Sequence, residues 1–92
     1  MITAFVLVHA DADRIPETAQ AIADLPGVAE VYSCAGDVDL VAVVRVPEHE
    51  QLADAIAGGL SKVDGVQSTT THIAFRSYSS QDEASAFSVG LD

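Results

Sequence analysis

The chain has 92 residues, 49% hydrophobic but only 5% aromatic, so it makes one domain with a modest core of Val, Ile, Leu and Ala. Four Lys and Arg stand against 14 Asp and Glu, a formal net charge of −10, which argues against direct binding to nucleic-acid phosphates or anionic membranes. The single cysteine, Cys34, excludes an internal disulfide. The longest apolar runs, Ala4 to Val8 and Leu40 to Val44, are too short to span a bilayer, and Met1-Ile2-Thr3 lacks the basic region of a signal peptide. The expected compartment is therefore the cytoplasm.

Ile2 to Ala10 predicts a first strand, rich in Val, Phe, Leu and Ile, which Asp11-Ala12-Asp13 breaks. Ile15, Ala19, Ile22 and Ala23 then recur at helical spacing, with Pro16 in the first turn, where its missing N–H does no harm. Pro26-Gly27 stops this helix. Val28 to Ala35 predicts a second strand, Gly36-Asp37 a two-residue hairpin turn using glycine's positive φ, and Val38 to Val46 a third strand. Pro47 opens a second helix with Leu52, Ala55, Ile56 and Leu60 on one face, and Asp64-Gly65 ends it. Gly58-Gly59 falls inside that pattern, where it either allows close packing or loosens the helix end. Val66 to Arg76 predicts a fourth strand, rich in Thr.

The order β-α-β-β-α-β is that of a ferredoxin-like α+β fold, with a four-stranded antiparallel sheet and both helices on one face. The halves echo one another: Leu25-Pro26-Gly27-Val28 and Val63-Asp64-Gly65-Val66 both carry a helix into a strand. Strand one is apolar on both sides, with Ile2, Ala4, Val6 and Val8 alternating with Phe5 and Leu7. Strand three behaves likewise, Leu40, Ala42, Val44 and Val46 alternating with Val41 and Val43. A sheet with one wet face should alternate apolar and polar, so the second face is expected to be covered by another copy of the chain. The domain is placed at residues 1–77. Residues 78–92 read as a tail or as an arm on a neighbouring subunit: Ser80 with Glu83 fits a capping box, and Ala86-Phe87 and Val89-Gly90-Leu91 are apolar enough to dock.

The residue types that carry chemistry give little. His9, His49 and His72 have no recognised metal-ligand spacing, so no metal site is expected. Cys34 has no base or cation beside it in sequence and reads as a small apolar strand residue. No nucleophile elbow, P-loop or dinucleotide fingerprint is present. Asp11, Asp13, Glu17, Glu48 and Glu50 fall in helix starts and turns, where acids are solvated or favoured by the helix dipole. Asp37 and Asp39 differ because a hairpin holds them. Taken alone, Gly36-Asp37-Val38-Asp39 fits a structural turn and a ligand-holding turn equally well.

The run from Val31 through Tyr32-Ser33-Cys34-Ala35-Gly36-Asp37-Val38-Asp39 to Val41, then Leu52, Ile56 and Leu60, then Gly65-Val66 and Thr69-x-Thr71, resembles the effector-binding module of the Lrp/AsnC transcription regulators. This module is also called the regulation-of-amino-acid-metabolism (RAM) domain. The resemblance covers residues 2 to 77. It implies a ferredoxin-like module that dimerises through its sheets into a barrel-like α/β dimer, commonly assembling further into octamers. It also implies that small effectors, usually amino acids, bind between dimers. Carried over by position, the implied ligand contacts are Gly36, Asp37, Val38, Asp39, Thr69 and Thr71, with Tyr32 and Ser33 nearby. Full-length members begin with a helix-turn-helix domain, whereas this sequence starts at the module's first strand and so resembles a stand-alone version. The loop also has Val38 where the family often has an aromatic.

The resulting expectation is a non-enzymatic domain without a cofactor. It senses a small metabolite, an amino acid by class, and modulates transcription by assembling with a DNA-binding relative. The alternatives are a small dimeric α/β-barrel enzyme and an interaction module without a ligand. For the site, strands one and three are expected to run parallel in the centre of the sheet. The Gly36-Asp37 hairpin then lies at one end and Val66 to Thr69 towards the other, so that a shared pocket needs subunits of different dimers.

Overall fold

A computed structural model describes residues 1–80. Its elements are β1 (Ile2–Ala10), α1 (Ile15–Ala23), β2 (Val28–Ser33), β3 (Leu40–Val46), α2 (His49–Ile56) and β4 (Val66–Ile73), with short 3-10 turns at Ala12–Arg14 and Leu60–Lys62. The strands form one sheet in the order β2-β3-β1-β4, antiparallel throughout. The ferredoxin-like α+β reading holds. The expected parallel pairing of strands one and three does not: β3 follows β2 through a loop and so reverses direction, and it then lies antiparallel between β2 and β1.

The helix-side face of the sheet is the core. Ala4, Val6, Val8 and Ala10 of β1 and Leu40, Ala42, Val44 and Val46 of β3 are buried beneath Ile22 of α1, Leu52 of α2 and Leu60. Ile15, Ala19, Ala55 and Ile56, predicted from helical spacing, pack against this cluster. Thr18 was not predicted, yet it is 1% exposed. Its hydroxyl donates to the Asp64 carbonyl at 3.3 Å, which is what allows a polar side chain there.

Two boundaries differ from expectation for backbone reasons. The second helix stops at Ile56, ahead of Gly58-Gly59, and Leu60 reaches the core from a separate 3-10 turn. Paired glycines, costly in a helix interior, break it there. At the other end, the Glu48 N–H donates to Gln51 Oε1 at 3.0 Å, which starts α2 after Pro47. The β2–β3 connection is longer than a two-residue turn. The Cys34 N–H bonds the Asp39 carbonyl at 2.8 Å, leaving residues 35–38 as a four-residue loop, with Gly36 at φ 128°. Cys34 is therefore exposed in the loop and not a packed strand residue, and its thiol lies 3.8 Å from the Tyr32 carbonyl oxygen. The suggested capping box and apolar dipeptides beyond Ser80 lie outside the described residues.

The echo between the halves is real in the backbone. Gly27 and Gly65 take φ of 89° and 97°. The Gly27 carbonyl accepts from Arg45 N–H at the end of β3, and the Gly65 carbonyl accepts from Asp11 N–H at the end of β1.

Candidate functional site

Among the described residues, no element covers the second face of the sheet. Register places Phe5 and Leu7 of β1 beside Val43 and Val41 of β3, with Glu30 and Tyr32 of β2 on one flank and Thr70 and His72 of β4 on the other. Val43 is buried within the subunit, whereas Phe5 remains 41% exposed. Among the described residues the face carries one carboxylate, Glu30, and that is matched by Arg45 at 3.6 Å. The Tyr32 hydroxyl also donates to Glu30. That hydrogen bond, together with the carboxylate's charge, holds the Tyr32 phenol above its usual pKa and keeps it a neutral donor.

The predicted contacts fall into two groups. Ser33 closes β2 opposite Leu40, and Gly36, Asp37, Val38 and Asp39 follow in the loop. Asp37 is exposed, while Val38 and Asp39 are half-buried. Thr69 and Thr71 lie on β4 opposite Val8 and Val6, on the helix side of the sheet and therefore on the opposite face from Tyr32. An added Cβ at Gly36 would meet nothing within 4 Å, so the loop tip is open space on that side.

The expectation that the two groups sit at opposite ends of the sheet is wrong. Leu40, which follows the loop, and Thr69 both pair with Val8 of β1, so both groups lie at the same end. One strand separates them, which sets their backbones roughly 10 Å apart. A groove of about 590 Å³ opens between Pro26, Gly27, Val46, Pro47, Gln51 and Ala55, and none of the predicted contacts lines it.

What links the two groups is the junction Ala10-Asp11. The Asp39 N–H donates to the Val8 carbonyl at 3.0 Å, and Asp39 Oδ2 accepts from the Ala10 N–H at 2.9 Å. One residue on, the Asp11 N–H donates to the Gly65 carbonyl at 2.9 Å, and Asp11 Oδ1 accepts from Gln67 Nε2 at 2.8 Å. Sequence reasoning missed Ala10, Asp11 and Gln67. Their partners lie 29 and 56 positions away, and only the sheet register reveals them. Among the described residues no group of three or more His, Cys, Asp or Glu is placed to hold a metal ion.

These features define a class: a small ferredoxin-like α+β domain whose candidate contacts are a carboxylate-bearing loop and a threonine edge strand. The chain belongs to the Lrp/AsnC ligand binding domain family, whose model matches residues 3–84. It is 37% identical over 76 residues to an uncharacterized HTH-type transcriptional regulator of Pyrococcus furiosus, a match covering 79% of this chain and 51% of that one. The chain thus spans about half the length of the curated relatives it matches. Among solved structures it resembles TTHA0845 of Thermus thermophilus with a TM-score of 0.80 and 48% identity, covering 86% of this chain and 99% of that one. The fold also recurs in the transcriptional regulator NMB0573 of Neisseria meningitidis, solved as an L-Met complex. There the TM-score is 0.75 at 16% identity, covering 85% of this chain and 52% of that one. No helix among the described residues is long and apolar enough to cross a membrane.

Proposed function

We propose that this domain senses a small metabolite, an amino acid by class, and modulates transcription by assembling with a DNA-binding regulator, itself catalysing nothing. The observation that carries the reading is the family match to the Lrp/AsnC ligand binding domain over residues 3–84, together with the match to about half the length of an HTH-type regulator. The methionine complex of the Neisseria fold relative supports the amino-acid class. Asp37 or Asp39 offers an acceptor for an α-ammonium group, and the Thr69 and Thr71 hydroxyls offer donors for a carboxylate. Ser33, Gly36 and Val38 adjoin the aspartates in the chain, and Tyr32 lies on the other face of the sheet. The resemblance to the family implies that the pocket is completed where subunits of different dimers meet. Titrating the twenty common L-amino acids by calorimetry should find at least one that binds; silence from all of them at millimolar concentration overturns the reading.

Assembly is homodimeric through the open face. A chain of net charge −10 repels its copies wherever its acids lie. Among the described residues the open face carries one carboxylate, Glu30, already matched by Arg45, beside apolar Phe5, Leu7 and Val41. The same charge balance keeps this chain off DNA. In a gel-shift assay it should retain no duplex at moderate salt, and gene control runs through the partner. Salt-sensitive, sequence-specific retention by this chain alone would contradict that.

A further inference from the structure

The two loop aspartates are in different physical situations. Asp39 is tied down at three points: its N–H bonds Val8, its carbonyl accepts from Cys34, and its Oδ2 accepts from the Ala10 N–H. Asp37 is exposed and has no partner among the described residues.

The side-chain bond of Asp39 has a structural cause. The ladder between β1 and β3 runs out at the pair Val8–Leu40, because the chain turns away into the loop. The Ala10 N–H points to the side where β3 would have continued, and Ala10 is buried. The Asp39 carboxylate supplies the acceptor that the sheet no longer provides. The adjacent Asp11 carries the connection across β1 to Gly65 and Gln67, and so to the start of the strand that bears Thr69 and Thr71.

Resting on the proposed function for the loop's role in ligand contact, we propose that Asp39 is a positioning residue that clamps the loop to the end of β1, and that Asp37 is the carboxylate that meets the ligand's ammonium group. The clamp needs an acceptor, not a charge. Asparagine keeps an oxygen that can accept from Ala10, and alanine does not. The contact to an ammonium group needs the charge.

The test compares Asp39→Asn, Asp39→Ala and Asp37→Asn by two readouts. The first is backbone amide exchange of Ala10 followed by NMR without ligand. Asp39→Ala should speed it about tenfold or more, since the N–H loses its acceptor, while Asp39→Asn and Asp37→Asn should leave it near wild type. The second is calorimetric titration with each of the twenty L-amino acids, beginning with L-methionine. Asp37→Asn should weaken binding about tenfold or more, Asp39→Ala should weaken it through loop displacement, and Asp39→Asn should stay within about threefold of wild type. If Asp39→Asn loses binding while Ala10 exchange is unchanged, Asp39 is itself a ligand contact and the proposal is wrong. It is equally wrong if Asp39→Asn exchanges as fast as Asp39→Ala, or if Asp37→Asn binds as wild type does. Silence from every amino acid removes the function reading and the role of Asp37 with it. The exchange pattern then decides the clamp alone: rapid exchange confined to Asp39→Ala upholds it, and unchanged exchange in that variant overturns it.

Discussion

Leu7→Asp should yield a folded subunit that no longer dimerises, whereas Val6→Asp, one residue away, should fail to fold. Val6 is fully buried on the helix side of β1 between Ala42 and Thr71, and a carboxylate there meets no cation. Burying an unpaired charge costs more than the roughly 5–15 kcal/mol that holds a small domain together, unless the group protonates or water enters. Leu7 points to the other face, beside Val41 and Thr70, and is half-buried in the subunit. A charge there remains solvated in the monomer and is desolvated only on pairing. A two-fold interface counts it twice, so dimer affinity should fall on the order of 10³-fold or more, about 2 kcal/mol or more per subunit. Circular dichroism with light scattering separates the outcomes. A wild type that stays monomeric at micromolar concentration would remove the premise, and a dimeric Leu7→Asp variant would place the interface elsewhere.

Gly65→Ala should be the most damaging glycine-to-alanine change among the described residues. An added Cβ would lie 2.2 Å from Thr18 Oγ1, and the backbone there has φ 97°, where a side chain is strained regardless of space. Thr18 cannot easily withdraw, because it is buried and its hydroxyl is spent on the Asp64 carbonyl. The two costs together should remove about 3–5 kcal/mol of stability, seen as a lower denaturant midpoint with an unchanged slope. Thr18→Ala alone should cost about 1–2 kcal/mol by leaving that carbonyl unpaired. In the double variant the clash is gone but the φ strain remains. The pair should therefore be less destabilised than the sum of its singles, by about 1 kcal/mol or more. Strict additivity would show that the backbone angle, not the contact, accounts for the whole effect at Gly65.

The core was legible because its signal is local. Alternating valines in β1 and β3 and the 3.6-residue spacing of Ile15, Ala19 and Ile22 state directly which side chains turn inward. Thr18 escaped that pattern because its burial depends on a carbonyl 46 residues away. The relation between the site's halves was not legible for a related reason. Whether the loop and Thr69 share an end depends on the direction of β3 relative to β1, a property of topology rather than of either motif. The motif Gly36-Asp37-Val38-Asp39 likewise presents two equivalent carboxylates in sequence. Only the place where the β1–β3 ladder stops makes one of them structural.

β2 and β4 form the borders of the sheet, and they are defended differently. β2 is short, has a register shift between Val28 and Glu30, and bears a charge. β4 runs Val66–Ile73 without Asp, Glu, Lys, Arg or Pro, the features that usually stop strangers from adding a strand. Among the described residues no strand pairs with its outer edge, and the expected guard against edge-to-edge growth is repulsion from acids carried elsewhere in the chain. The colloidal stability of the protein is thus a property of the whole surface, set by pH and ionic strength, and no single gatekeeper residue on that strand guards it.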